Sequence, residues 1–273
     1  MRLTVVGSGT SQPQAETPAS GLLIETGTTA LLVDCGQGII RELLTIRDPR
    51  ELDAIVIGHM HADHYIDLVS LRYLLPWEGV AGEHLPLLVP PGGKARIDAL
   101  ATAISERANF FDDAYSVLEY DPAHRLHVGD LTISFVAGQH YVPAWGCVVT
   151  DPTGASIAIT GDTGPNAAFA ASARGADLFV AEATLTSAEF DDPRRGHLTP
   201  EEALEMADQA GARSVVLVHF RDELRARIDA ACAARPGAQA GRPGLRIEVG
   251  HESAAVGASD PHAAQLSAQA RLT

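Results

Sequence analysis

The segment Asp53-Ala54-Ile55-Val56-Ile57-Gly58-His59-Met60-His61-Ala62-Asp63-His64 sets the reading of the whole chain. Asp53–Ile57 is a short apolar run rich in β-branched residues, so it reads as a buried strand that stops at Gly58. Three imidazoles and a carboxylate follow within the next six residues. A strand end holds such a segment rigidly while a short loop turns several side chains inward. Neutral imidazole and carboxylate are the donors that suit zinc, and more broadly manganese or iron. A solvated polar loop is the bland alternative, but histidine is scarce and this spacing is improbable by accident. The segment reads as a metal site.

On either side, short apolar stretches alternate with helical patterns. Arg2–Val6, Gly21–Glu25 and Thr29–Asp34 read as strands, and Gln37–Ile46 as a helix with Ile39, Ile40, Leu43 and Leu44 on one face. Ile66–Leu75 reads as a helix ending at Pro76, Leu87–Val89 as a strand and Ala95–Arg107 as a helix. Leu131–Val136, Gly146–Thr150, Ser156–Thr160, Asp177–Ala181 and Ser214–Val218 read as further strands. Asp151-Pro152-Thr153-Gly154 forms a tight turn between the second and third of these. Thr199-Pro200 with Glu202 predicts a capped helix start. Strands with helices between and after them pack as sheets layered with helices. Residues 1–250 are expected to form one domain, and 251–273 an Ala/Ser/Gln-rich, poorly ordered tail.

Composition narrows the function. Of 273 residues, 20 are Lys or Arg and 35 are Asp or Glu, for a net charge of −15. Lys94 is the only lysine. That balance argues against a dedicated nucleic-acid binder, which needs a cationic face. Three scattered cysteines (Cys35, Cys147, Cys232) without a Cys-x-x-Cys pair fit small packed side chains in a reducing compartment. No apolar run approaches the ~20 residues of a membrane span, so the expected location is the cytoplasm, away from membranes.

His59-x-His61-x-Asp63-His64 after a buried strand resembles the signature of the metallo-β-lactamase superfamily. Other residues complete the pattern in order: His140 past strand Leu131–Val136, Asp162 in Gly161-Asp162-Thr163, and His219 after strand Ser214–Val218. The resemblance covers residues 1 to about 250. It implies an α+β fold, a four-layer αβ/βα sandwich of two mixed β-sheets flanked by helices. It also implies two divalent ions, zinc first with manganese or iron as alternatives. His59, His61 and His140 would hold one ion, Asp63, His64 and His219 the other, and Asp162 would bridge them. Such a pair lowers the pKa of a shared water to near 7 and polarises an electrophile's oxygen, so no side-chain nucleophile is required. Asp63 is a candidate proton acceptor as well as a ligand.

Further segments resemble the ribonuclease Z-like branch: Gly7-Ser8-Gly9-Thr10-Ser11, Leu32-Val33-Asp34-Cys35-Gly36, and His140-Tyr141-Val142-Pro143-Ala144-Trp145-Gly146. Glu182-Ala183-Thr184 with His197-Leu198-Thr199 resembles that branch's paired Glu and His elements. By that likeness His197 is the proton donor to a leaving alkoxide and Glu182 orients it; the alternative for His197 is a loop histidine before a helix cap. Two departures stand out. Ala181 occupies the place of a histidine. The turn at Asp151–Gly154 leaves no room for a tRNA-gripping arm between His140 and Asp162. The expected substrate is therefore a small phosphodiester, such as a cyclic nucleotide or cyclic sugar phosphate, and tRNA is disfavoured.

Arg194 and Arg195 are candidates to face a phosphate, although a water-facing pair is the commoner case. Tyr141 and Trp145 are candidates to line the pocket, with core packing as the alternative. Asp34 reads equally as a partner of a metal histidine or as a turn residue. The first rival function is hydrolysis of a lactone, thioester or other acyl substrate at the same metals. A non-catalytic binding module, di-iron redox chemistry and tRNA 3′-processing rank lower. Relatives in this branch also suggest a homodimer.

Overall fold

The computed structural model describes residues 1–75, 84–107 and 109–250. The expected tail over 251–273 and the expected helix stop at Pro76 lie outside these residues. β1 (Arg2–Ser8), β2 (Ser20–Glu25), β3 (Ala30–Val33), β4 (Ala54–Val56), β5 (Leu85–Val89) and β6 (Tyr115–Glu119) share one sheet. β7 (Leu126–Val128), β8 (Leu131–Ala137), β9 (Trp145–Thr150), β10 (Ser156–Ile159), β11 (Leu178–Glu182), β12 (Ser214–Val218) and β13 (Ala238–Ala240) form the second. β14 (Arg246–Glu248) returns to pair with β1, giving the order β14-β1-β2-β3-β4-β5-β6 against β13-β12-β11-β10-β9-β8-β7. In each sheet the pairing is antiparallel up to one strand, β3 or β10, and parallel beyond it.

Strands β2 to β4 and β10 to β12 are buried on both faces, as the inner strands of sheets covered from two sides must be. Along β3, Leu31 and Val33 point to the space between the sheets, with Leu3, Val5, Ile133, Val149, Ile157 and Val180. Ala30 and Leu32 point the other way, under Ile39, Ile40, Leu43 and Leu71. Each fully buried leucine contributes about 1.5–3 kcal/mol of transfer free energy. The helices cover the outer faces: α1 (Ile39–Ile46), α2 (Ala62–Tyr65), α3 (Leu68–Arg72) and α4 (Gly93–Ser105) on the first sheet, and α5 (Ala167–Ser172), α6 (Pro200–Ala210) and α7 (Arg225–Ala233) on the second. The result is the four-layer αβ/βα sandwich.

Several boundaries differ from the sequence reading. The helix expected over Ile66–Leu75 is only the short α3, and a separate short helix, α2, precedes it. The Asp67 N–H bonds to the Cys35 carbonyl (3.0 Å), and the Asp67 side chain caps the Ile40 N–H (2.8 Å), so the first helix cannot continue. α2 thereby begins at Ala62 and carries Asp63 and His64. Leu44, expected on the packed face of α1, is 53% exposed. Strands β6, β7, β13 and β14 and helices α5 and α7 lack a sequence signature. The capping box of Thr199 and Glu202 forms as expected.

The sheets are stitched together where the site lies. The Trp145 N–H donates to the Gly58 carbonyl (3.1 Å), His59 bridges Ala144, and the Phe220 N–H donates to the Ser8 carbonyl (3.1 Å). Gly58 has no room for a side chain: a Cβ there would lie 2.9 Å from the Trp145 carbonyl oxygen. The three cysteines are buried and unpaired. Among the described residues, no helix is long and apolar enough to cross a membrane.

Candidate metal centre

Nearly every functional side chain leaves the chain just past a strand. Asp34 follows β3, His59 and His61 follow β4, His140 follows β8, Asp162 follows β10, and His219 follows β12, while Glu182 ends β11. The first group of donors is His59, His61, His140 and Asp162, whose ligand atoms all lie within 4.8 Å of one another. His59 Nε2 and His140 Nε2 each approach His61 Nδ1 to 3.1 Å. Asp162 Oδ2 stands 3.7 Å from the first and 3.9 Å from the second. The second group is Asp63, His64 and His219. Asp63 Oδ2 is 3.2 Å from His219 Nε2 and 3.6 Å from His64 Nε2. Asp162 faces this group too, with Oδ2 3.4 Å from His64 Nε2 and Oδ1 3.6 Å from His219 Nε2. The structure thus brings all seven expected ligands together, with Asp162 between the two sets.

One atom tests whether cations fit. His64 Nδ1 lies 2.6 Å from the Asp34 carboxylate, which only accepts, so the Nδ1–H is fixed there and Nε2 is left as a lone pair. That Nε2 is buried without a hydrogen-bond partner, facing two carboxylates. A lone pair opposite carboxylates needs a positive charge between them. The same demand shows in the titration: burial pushes His64 down, but Asp162 and Asp34 overcome it and raise it well above the usual histidine value. A divalent ion substitutes for that proton. Burial and neighbouring rings hold His59, His61 and His140 low, leaving them as neutral donors. Asp162 is driven well below the carboxylate range: burial opposes this, and His219 and His64 outweigh it. The His/Asp clusters fit a dinuclear metal site.

A second layer of bonds orients these ligands. Asp34, at φ 62°, also accepts from Gly58 N (3.0 Å) and Ser20 Oγ (3.0 Å), so it is a histidine partner as well as a turn residue. His140 Nδ1–H donates to the Gly196 carbonyl (2.8 Å). His219, itself at φ 53°, donates from Nδ1 to Thr184 Oγ1 (2.9 Å), which donates to Glu182 Oε2 (2.6 Å). The other Glu182 oxygen accepts from Thr163 N (2.8 Å) and His197 Nδ1 (2.9 Å). Burial pushes His197 down, but the Glu182 carboxylate more than reverses this and brings it up to about 9. Asp191 Oδ2 accepts from the backbone N–H of Gly196 (2.8 Å) and of His197 (3.1 Å), pinning the loop that carries His197.

These groups open on a cavity of about 530 Å³ lined by Thr10, Ser11, Gln12, His61, Ala62, Asp63, Tyr141, Asp162, Thr184, His197, His219 and Arg221. Tyr141 lines it as expected. Trp145 does not: it packs in the inter-sheet core beside Tyr120 (6.3 Å between ring centroids) because its β9 position faces the opposite sheet. Arg194 and Arg195 do not line it either. Arg194 pairs with Asp192 (3.0 Å) and lies over Tyr141, while Arg195 is bound to Glu202 (2.7 and 2.8 Å). Sequence reasoning missed Arg221, Thr184 and Asp191. Arg221 stands two residues past the last ligand, a proximity that was the available signal, whereas nothing local marks Asp191.

A family model described as a beta-lactamase superfamily domain matches residues 29–220. The chain belongs to the metallo-β-lactamase superfamily. An uncharacterised Mycobacterium tuberculosis member is 32% identical over 222 residues, covering 81% of each protein. YhfI of Bacillus subtilis, named a probable metallo-hydrolase, is 28% identical over 220 residues, 81% of this chain and 87% of the relative. The crystal structure of YhfI superposes with a TM-score of 0.77 at 24% identity, covering 91% of this chain and 98% of that one. Human tRNase Z, short form, gives a TM-score of 0.71 at 21% identity, covering 92% and 100%. With the family and the donor clusters in hand, this superfamily member is a metal-dependent hydrolase.

Proposed function

We propose that the protein is a phosphodiesterase for a small substrate, of the cyclic nucleotide or cyclic sugar phosphate kind, working with two divalent ions, zinc first. His59, His61 and His140 would hold one ion, Asp63, His64 and His219 the other, and Asp162 both. When bound, the ions supply Lewis acidity to a phosphoryl oxygen and acidify water near neutral pH. The observation that carries the phosphodiester reading is the Glu182–His197 pair at the cavity wall. With its Nδ1–H held by the Glu182 carboxylate, which favours the imidazolium, His197 is placed to present its Nε2–H to the cavity as a proton donor. An alkoxide leaving from phosphorus needs that proton, whereas acyl leaving groups such as thiolates need it far less. Asp63, on the cavity wall, would serve as a ligand and is the candidate proton acceptor. The β9–β10 connection is a tight turn at Asp151–Gly154, so nothing there extends to grip tRNA.

The test is a panel on the metal-loaded protein: bis(p-nitrophenyl) phosphate, cyclic nucleotides, pre-tRNA, lactones and thioesters, with metal counted per chain. A small phosphodiester is expected to give the highest kcat/KM. His197→Ala should lower kcat on alkoxide-leaving esters by about 10²–10³. Faster turnover of a lactone, a thioester or pre-tRNA than of every small phosphodiester overturns the reading.

A further inference from the structure

The cavity wall also carries groups that the hydrolytic chemistry does not use. Thr10, Ser11 and Gln12, from the loop after β1, and Arg221, from the loop after β12, line it. Arg221 is the only Lys or Arg among the lining residues, in a chain whose net charge is −15. Its backbone is anchored on both sides. Phe220 donates its N–H to the Ser8 carbonyl (3.1 Å) and accepts Gln14 Nε2 on its own carbonyl (3.4 Å). Asp222 is held by the Gln14 side chain and by Thr17 Oγ1 (2.7 Å). The facing loop is fixed as well, because Gln37 Nε2 reaches the Thr10 and Ser11 carbonyls (both 3.4 Å).

The guanidinium itself is uncommitted. It makes no hydrogen bond among the described residues, and its single ion pair is with the neighbouring Glu223 at 3.7 Å, a side chain 70% exposed. Arg194, Arg195, Arg213, Arg227 and Arg235 each hold a carboxylate at hydrogen-bond distance. A fixed backbone carrying an unspent guanidinium into a cavity is how arginine recognises phosphate or carboxylate through two parallel N–H bonds. The surroundings are hydroxyls and an amide, and Tyr141 is the only Phe, Tyr or Trp ring among the lining residues. Hydroxyl and amide groups suit a sugar better than an apolar group.

We infer that Arg221, with Thr10, Ser11 and Gln12, forms a subsite for a second anionic group on the substrate, so that the preferred phosphodiester is a sugar derivative carrying a further phosphate. This deepens the phosphodiesterase reading and rests on it. The matched probes are the p-nitrophenyl ester of thymidine 5′-phosphate and the same ester phosphorylated at the 3′ oxygen, which share a leaving group and differ by one phosphate. The wild type is expected to favour the bisphosphorylated member by about 10- to 100-fold in kcat/KM, the worth of about one charge-assisted hydrogen bond. Arg221→Gln should collapse that ratio to near one, and Arg221→Lys should keep part of it. A ratio near one in the wild type, or one that survives Arg221→Gln, overturns the subsite. An equal loss on both esters also overturns it, by placing the guanidinium on the reacting phosphate. Calorimetry with thymidine 3′,5′-bisphosphate separates the two claims. If neither ester is hydrolysed, the substrate panel above decides the phosphodiesterase reading, and the subsite stands only if this ligand binds about tenfold more weakly to Arg221→Gln.

Discussion

Replacing Glu182 by glutamine keeps the shape of a buried side chain and removes its charge. The carboxylate accepts four bonds: from Thr163 N (2.8 Å), Thr184 N (3.3 Å), Thr184 Oγ1 (2.6 Å) and His197 Nδ1 (2.9 Å). Against burial, Glu182 is the largest influence holding His197 up at about 9 rather than 6.5, with Asp162 and Asp191 adding less. At ~1.4 kcal/mol per pH unit, that elevation corresponds to roughly 3 kcal/mol in favour of the imidazolium, with Glu182 its largest source. A histidine raised on folding stabilises the folded state below its unfolded value near 6.5, and the contribution disappears as pH rises through about 9. In chelator-treated protein, Glu182→Gln should therefore cost more at pH 6 than at pH 9.5 by urea denaturation, by up to about 3 kcal/mol. On the metal-loaded enzyme the same substitution should lower kcat by about 10²–10³ for an alkyl leaving group and by less than about tenfold for p-nitrophenolate. A stability penalty that does not change with pH, together with equal kinetic losses on both leaving groups, refutes the assignment of Glu182 and His197.

Thr184→Val removes the acceptor for His219 Nδ1–H, so metal held by Asp63, His64 and His219 should bind about 10–100-fold more weakly in chelator competition, with Thr184→Ser restoring it. Asp34→Asn should weaken the same group of ligands by a similar factor, because the neutral amide no longer fixes the His64 tautomer through charge. Asp151 lies far from the site and offers a control. Its buried carboxylate accepts from Thr153 N (2.8 Å), Thr153 Oγ1 (2.6 Å) and Ala155 N (3.1 Å) and pairs with the N-terminal amine (3.3 Å). Burial alone would raise it, but these bonds bring it below the usual carboxylate value. Asp151→Asn should cost about 1–3 kcal/mol at pH 7, a difference that shrinks as pH falls below about 4, with metal content unchanged.

Much of the strand framework was legible because burial on two faces leaves continuous apolar runs such as Ala54–Val56 and Ser214–Val218. The runs that escaped notice, such as Ala238–Ala240 and Arg246–Glu248, are short edge strands whose pairing comes from neighbours rather than composition. The helix expected over Ile66–Leu75 is shorter than its sequence suggests, since a backbone bond from Asp67 to the remote Cys35 carbonyl separates α3 from α2.

The seven residues of the His/Asp clusters were readable from sequence because imidazole and carboxylate are chemically distinctive and each follows a strand that announces itself. What only the tertiary structure decided is how those groups are wired and what faces them. The route from His219 through Thr184 to Glu182 and on to His197 joins residues 35, 2 and 15 positions apart in turn. Arg195 is consumed by Glu202, and Trp145 by the core, while Arg221 is left facing the cavity. A side chain's type fixes what it can bond, but its partner is set by which strand ends the two sheets bring together, and no local stretch of sequence encodes that.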